Sequence, residues 1–581
     1  MAAQRTFPLR VAIQRRKQSA LDLLVGAAVV VLLYVVVRVG HGATLSITAG
    51  HSTQISTNWH DLPYYAARSL LRMFIALIAS TVFSLWYGYT AARSRRLEKV
   101  LIPLLDILQS VPVLGFLAIT VTAFVAVFPH SYLGIELASV FAIFTAQAWN
   151  MTFSFYHSLM TEPRDLDELS RNMNLTKWMR FWKIDVPAGM IGLVWNGMMS
   201  MAGAWFFLSA SEAITVGPRT YPLPGVGSYA AAAITKGNLG EVGLAILTMG
   251  IMVVGVNFFF WRPMVAWAER FKMETSEASE VQRSALLELL HHSRWPRAAG
   301  RVRRRLAEPL GRAMAVLGRD DQGLVSVTTV RRRAGDVAFL AVVGAGVAVG
   351  MVELLSYTLA NGGGKAYLDA LGAGFLTFVR VMVLLAVATV IWVPIGVKIG
   401  SSPRLARIGQ PLVQVFASFP ANFLFPFATL FFLDTHLSIE VGAVLLMALG
   451  AQWYILFNTI AGAQAIPSDL SEAMDNLGVH GWERWKRLII PAVFPFYVTG
   501  AITASGGAWN ASIVAEIVDF RHRSLVAHGL GASIAKAFAA GAAGRPALFA
   551  DILVMSLYVV GVNRLLWRRL YGLAERRYKL D

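Results

Sequence analysis

The segment Ile466 to Pro491, IPSDLSEAMDNLGVHGWERWKRLIIP, is a charged interlude between two long apolar runs. Ser468 and Glu472 bracket a capping arrangement, and Gly478 ends a first helix. Trp482, Trp485, Leu488 and Ile489 place an apolar edge on a second, basic helix. Glu472 falls early in the first helix, where the dipole favours a carboxylate. The spacing predicts a helix-turn-helix elbow lying outside a membrane.

The same pattern occurs earlier in the chain. At an offset of 304 (467 − 163), Pro163 aligns with Pro467. With no gap as far as Glu212, Asp165 then meets Asp469, Glu168 meets Glu472, and Trp178 meets Trp482. Pro187 likewise meets Pro491, Trp205 meets Trp509, and Glu212 meets Glu516. Fourteen of these 50 positions are identical, which is enough to identify a second copy of one unit. Upstream the offset becomes 308 and pairs Arg72 with Arg380, Gly88 with Gly396, Pro103 with Pro411 and Pro112 with Pro420.

Of the 581 residues, 56% are hydrophobic and 15% charged, and the mean hydropathy is +0.56, values that exclude a soluble globular chain. The net charge of +18 raises the question of nucleic acid. The basic residues gather at the ends of apolar runs, where the positive-inside rule places them, so no nucleic-acid partner is expected. The absence of cysteine excludes disulfides and thiolate metal sites.

Residues 1 to 20 carry five Lys and Arg and precede the apolar run Leu21 to Val39, an uncleaved first span with its N-terminus inside. Further spans are expected near 68–92, 100–128, 133–158, 188–214 and 241–261, with the Pro- and Gly-containing segment 103–128 open to a kink or break. The second half repeats them near 335–357, 373–399, 409–433, 437–462, 491–517 and 547–567. The expected fold is an all-α membrane protein of about twelve transmembrane helices in two parallel six-helix repeats, with membrane lipid around it and both termini cytoplasmic. The domains are residues 1–265, with an elbow at about 162–187, and 335–581, with an elbow at about 466–491. Between them lies a basic cytoplasmic linker, 266–334, whose stretch Ser279 to His292 has the periodicity of an amphipathic helix.

Polar residues inside spans are where a pathway is sought, because lipid penalises them. Arg72 and Arg380, at equivalent depths, would draw an anion if they face a shared axis, or would snorkel to headgroups if they do not. Glu212 and Glu516 end equivalent helices and are candidates to pair with those arginines. Trp205, Trp509, Asn510 and Ser512 offer donors to a cavity or serve as packing. No catalytic or metal-ligating constellation is present. The Gly-rich run Asn361 to Ala366 lacks the hydroxyl of a phosphate-binding loop, so this chain is not expected to hydrolyse ATP.

With Glu472-Ala473, Gly478 six residues after the Glu, and then Leu488, Ile490 and Pro491, the elbow resembles the EAA loop of ABC importer permeases, although Met474 replaces that pattern's second Ala. The resemblance implies that each elbow is a coupling helix docking on an ATPase subunit. The residues concerned are Glu472, Ala473, Gly478, Trp482 and Pro491, and in the first copy Glu168, Asn174, Trp178 and Pro187. That copy departs from the pattern: Glu168 is followed by Leu169-Ser170, and Asn174, which tolerates a left-handed turn, stands in for the Gly. The stretch Gly507 to Val518, GAWNASIVAEIV, with Pro420 and Pro426 in PANFLFP, is similar to the nitrate, sulfonate, taurine and bicarbonate branch of these permeases. The resemblance implies type I importer architecture in a bacterial inner membrane. It also implies two copies of an ATPase holding the ATP and Mg, a periplasmic or lipid-anchored solute-binding protein, and no cofactor on this chain. The competing design is a secondary transporter of the major facilitator type, which also has two six-span halves and a basic central loop. Its expected GxxxDRxGRR loop reads GYTAARSRR from Gly88 to Arg96 here, without the acid, and it has no use for paired elbows.

Overall fold

A computed structural model of the protein describes residues 55–110, 113–128, 131–162, 164–173, 175–216, 219–271, 329–520, 523–541 and 543–577. The expected first span, the amphipathic stretch of the linker, both chain ends and Asn174 lie outside the described residues. The first half runs α1 (Leu62–Arg93), α2 (Arg95–Ser110), α3 (Val113–Val127), α4 (Tyr132–Met160), α5 (Arg164–Asn172), α6 (Lys177–Arg180) and α7 (Val186–Glu212). A hairpin of β1 (Ala213–Val216) and β2 (Arg219–Pro222) follows, then α8 (Val226–Lys236), α9 (Leu239–Val256) and α10 (Arg262–Ala268). The second half repeats this order as α11 (Thr329–Gly400), α12 (Pro403–Ser418), α13 (Phe425–Thr435), α14 (Ile439–Gln464), α15 (Ser468–Asn476), α16 (Gly481–Arg484) and α17 (Ile490–Ala515). Then come β3 (Ile517–Phe520), β4 (Arg523–Val526), α18 (Leu530–Ala539), α19 (Arg545–Val562) and α20 (Arg568–Arg577). Even the π-helical turns recur, Phe181–Asp185 with Trp485–Ile489 and Asn257–Trp261 with Asn563–Trp567.

The helices pack with small and polar residues inward and large apolar residues outward, the arrangement expected where lipid is the solvent. On α1, Ser69, Arg72, Ala76, Ser80 and Ser84 are buried, whereas Ile78, Val82 and Trp86 are exposed. Ser84 lies 3.0 Å from the Thr152 hydroxyl of α4, so the two helices are tied by polar contacts in their interior.

Among the described residues, eight helices are long and apolar enough to cross a membrane, or nine if one bent pair counts as a span. The expected span 409–433 is that pair. Pro420 holds Phe419 in an extended conformation (ψ 128), and the chain turns by 79° between the helices on either side. In the first half α2 and α3 likewise divide the expected span 100–128. The spans expected at 335–357 and 373–399 fall in α11, which is two helices meeting at a kink at Gly363 (φ 68, ψ 171), and its apolar part Gly344–Gly400 has 57 residues. That is about 85 Å of helix against about 30 Å of hydrocarbon, long enough for more than one crossing.

The broken helices interlock the halves. Val113 and Val121 of α3 join the second-half core with Met447 and Trp509, while Phe423, just after the second-half break, joins the first-half core with Trp205 and Leu208. Two side chains bridge the junctions: Val113 N–H donates to Asn510 Oδ1 at 2.9 Å, and Asn422 Nδ2 donates to Ser209 Oγ at 3.0 Å.

Candidate functional site

Three features occupy the duplicated framework: a buried ionic network in each half, a cavity between the halves, and the two elbows.

In the first half the Glu212 carboxylate is fully buried. Its Oε1 accepts from Arg72 Nη1 at 2.7 Å and Ser69 Oγ at 2.5 Å, and its Oε2 accepts from Gly227 N–H at 2.8 Å, in the first turn of α8. Arg72 also grips Glu136 of α4 bidentately, Nε to Oε2 at 2.5 Å and Nη2 to Oε1 at 2.8 Å, and donates to the Pro224 carbonyl at 2.9 Å. Arg68 pairs with the same Glu136. The second half repeats the device. Glu516 accepts from Arg380 Nη1 at 2.7 Å, Thr377 Oγ1 at 2.8 Å and Ala532 N–H at 3.1 Å, and Arg380 also holds Glu440 and the His528 carbonyl. Leu376 stands where the first half has Arg68, and His528, at the position of Pro224, contacts Glu440 through its backbone N–H and Nδ1. Each network pins α1 or α11, the end of α7 or α17, and the start of α8 or α18 into one unit. The helix N-termini resting on carboxylates are electrostatically favourable. Gly225 and Gly529 complete the fit, since a Cβ at either would lie 2.2 Å from the carboxylate of Glu212 or Glu516.

Glu212 and Glu516 therefore do meet Arg72 and Arg380, but none of the four faces the central cavity. The arginines neither snorkel nor present free charge; buried carboxylates within reach neutralise both. The cavity, about 380 Å³, is bounded by α4, α7, α14 and α17 together with the broken helices, and no charged side chain lines it among the described residues. Asn510 is on its wall. Trp205, Trp509 and Ser512 are buried behind it. Met199, Gly203 and Phe206 share the inward face of α7, as Thr503, Gly506 and Asn510 share that of α17. At 100° per residue, Trp205, Trp509 and Ser512 fall on other faces. Ser512 instead donates to the Trp509 carbonyl at 2.8 Å, and Trp509 stacks on Tyr558 with ring centroids 6.1 Å apart.

The second elbow begins at Ser468 with Pro467 as its cap residue, so Ser468 is within the helix and the expected capping pair does not form. Asp469, not Glu472, is the acid of the first turn. Gly478 takes the left-handed conformation (φ 66) after the helix, and Val479 N–H donates to the Met474 carbonyl at 2.9 Å, closing the turn. Beyond it the basic helix is not a separate piece. Gly481–Ala515 is one rod of 35 residues, as Lys177–Glu212 is in the first half, and Pro491 and Pro187 sit in it where α17 and α7 begin. Glu168, Glu472 and Ala473 are exposed; Trp482 is 71% exposed, whereas Trp178 is half-buried against Phe181 and Trp182. Met173 and Leu477, equivalent at the offset of 304, are 62% and 75% exposed, an apolar tip on each elbow.

The elbows are anchored differently. In the first, Arg93 pairs with Glu162 at 2.7 Å and with Asp185, and Arg180 reaches the same two carboxylates at 3.4 and 3.5 Å. In the second, Ser401, Ile466 and Ile489 occupy the positions of Arg93, Glu162 and Asp185. There Ile466, Trp485 and Ile489 pack on Val397 and Val493, while Arg484 pairs with Asp475 and donates to Ser471 Oγ at 2.6 Å.

The sequence profile of the binding-protein-dependent transport system inner membrane component family matches this chain twice, at residues 80–262 and 392–560, together more than half of its length. The chain belongs to this permease family. It is a transport component built by internal duplication, with the all-α type I fold. The permease is similar to the nitrate import permease protein NrtB of Synechocystis sp., 27% identical over 194 residues, which cover 33% of this chain and 65% of that one. It is also similar to the bicarbonate transport system permease protein CmpB of Synechococcus elongatus, 28% identical over 133 residues, 23% of this chain and 46% of that one. The taurine transport system permease protein TauC of Escherichia coli is 23% identical over 168 residues, 29% of this chain and 60% of that one. The permease thus spans between about half and two thirds of the length of each of these relatives.

Sequence reasoning missed Glu136 and Glu440, although they are an aligned acidic pair at the offset of 304 near the starts of apolar runs. It also missed most of the cavity wall, whose Asn, Ser and Thr residues carry no pattern until the helices are placed together.

Proposed function

We propose that the permease is the transmembrane component of an ATP-driven importer for a small oxyanion of the nitrate, bicarbonate or sulfonate kind. Two ATPase copies sit on the elbows at the cytoplasmic face, and a solute-binding protein delivers at the opposite face. Both termini are cytoplasmic, and residues 1–265 and 335–581 form the repeats joined by the basic linker 266–334. ATP and Mg belong to the ATPase, and this chain contributes no catalytic group.

One observation carries the proposal: elbow and cavity wall are the same helix. The rod that begins beside Trp482 bears Thr503, Gly506 and Asn510 on the cavity, and its counterpart from Trp178 bears Met199, Gly203 and Phe206. Displacing an elbow by closing the ATPase moves a cavity wall directly, and the buried networks make α7 with α8, and α17 with α18, move as one body. The first elbow is fixed by ion pairs and the second by apolar packing, and both transmit force because both are continuous with their rods.

An anion-selective route does not need fixed positive charge. Neutral amide, hydroxyl and indole donors bind an oxyanion weakly enough to release it, whereas a buried unpaired arginine would retain it. The names of the relatives point to the same solute class, and the neutral cavity fits it.

The test is purification of the chain alone and beside its ATPase. The chain by itself gives no ATP turnover above a mock preparation, and the ATPase co-purifies with it. Turnover by the isolated chain would overturn the assignment of ATP chemistry to a partner.

A further inference from the structure

The two halves present the cavity unequally. The second half contributes Asn563 and Trp567 from its last π-helical turn, whereas Asn257 and Trp261, the same residues of the first half, do not line it. One substitution accompanies the difference. In the first half the Trp261 indole N–H donates to the Met201 sulfur at 3.1 Å, and the ring lies against Gly197 of α7, where a Cβ would come within 3.1 Å of it. At the position of Met201 the second half has Ser505 (201 + 304), a buried residue on the cavity wall. Serine is too short to reach the ring, and the Trp567 Nε1 is buried with no hydrogen-bond partner.

A tryptophan N–H is a donor only, so the sole group that can satisfy it is an acceptor. Ser505, Trp567, Asn563 and Asn458 line the same cavity, and none of them carries a charge. π-helical turns of this kind are over-represented at functional sites because they redirect side chains. A solute rich in acceptors, a small oxyanion, is what this side pocket complements. A solute without an acceptor, such as a bare cation, would leave the indole unsatisfied.

We propose that the second half alone carries a solute subsite, a pocket at Trp567, Ser505 and Asn563 opening off the central cavity, which holds a small oxyanion through the indole N–H. The proposal rests on the transport function above and makes it directional: the solute pauses beside one half, not on the pseudo-twofold axis.

The duplication supplies its own control. The permease with its ATPase is reconstituted in lipid vesicles, and uptake of labelled nitrate, bicarbonate and taurine is measured separately at subsaturating concentration with the solute-binding protein present on the loading side. In parallel, the thermal midpoint of the purified permease is measured in sodium nitrate, bicarbonate or taurine against sodium chloride of equal concentration. Trp567→Phe removes only the N–H and lowers uptake of the transported solute about tenfold, while Trp261→Phe changes it less than twofold. Ser505→Met copies the first half, engages the indole and fills the pocket. It lowers uptake at least tenfold with an undiminished yield of folded protein, and it abolishes the rise in midpoint that the solute gives the unsubstituted permease. Should Trp567→Phe fail to fold, the Ser505→Met result decides. Undiminished uptake and an undiminished rise in midpoint in Ser505→Met overturn the subsite. A permease that transports none of the three, yet is stabilised by one of them in a Trp567-dependent way, leaves the subsite standing and overturns the transport function. If no solute is transported or stabilises the protein, both are overturned.

Discussion

Arg72→Gln sharply lowers the yield of folded permease, and with it uptake. The substitution leaves Glu136 with only Arg68 and strands the Glu212 carboxylate, which is fully buried and retains only Ser69 and the Gly227 N–H as donors. Removing one partner from a buried ion pair typically costs about 3–5 kcal/mol, because the other charge remains in a poor solvent. Arg72→Lys rescues little, since an ammonium cannot supply the bidentate grip on Glu136 together with the bonds to Glu212 and Pro224. Arg380→Gln is milder: the Glu440 side chain is 40% exposed and is also contacted by His528, so water and imidazole replace part of what is lost. Size-exclusion yield and thermal midpoint in detergent test this ordering. If Arg72→Gln lowered uptake with no loss of folded protein, the arginine would be part of the route and not of the frame.

At the elbows the effect falls on association, not folding. Leu477→Asp places a carboxylate on the most exposed apolar tip of the second elbow, and Met173→Asp does the same on the first. Both side chains are largely free of the permease's own core, so the protein folds. Loss of a desolvated interface anchor costs about 2 kcal/mol or more, or roughly thirtyfold in affinity. Retention of the ATPase through purification therefore drops by at least that factor at moderate protein concentration. Among the acids, Glu472→Lys uncouples more than Glu168→Lys, because only the second elbow keeps the glycine-closed turn at Gly478. Equal or inverted severity in ATPase retention and uptake would mean that the match to the EAA pattern does not rank the elbows.

These outcomes separate what was legible in the sequence from what was not. The duplication, the elbows and the turn at Gly478 were legible because they are written locally: a left-handed turn favours Gly, and identical residues at one fixed offset mark a repeat. The positions of the breaks were not, because apolarity alone does not report that the chain turns by 79° at Pro420 or leaves helical geometry at Gly363. The arginine pair was found, but two of the carboxylates that hold it were not. Depth in a span is visible in a sequence, whereas the partner that neutralises a charge sits some 60 residues away on α4 or α14, at Glu136 or Glu440. The cavity wall was least legible of all, since Asn458, Asn563 and Ser505 acquire meaning only from the face each helix presents.

The absence of cysteine gives a clean background for labelling, but the most direct measurement is energetic. The permease and its ATPase are reconstituted in sealed vesicles with the elbows facing outward, solute-binding protein and labelled nitrate, bicarbonate or taurine inside, and export to the elbow side is followed on adding ATP and Mg outside. Solute movement that requires ATP, persists when proton and sodium gradients are collapsed, and disappears in Leu477→Asp is the expected result. Movement that follows an imposed ion gradient and ignores ATP would contradict it and return the chain to the class of secondary transporters.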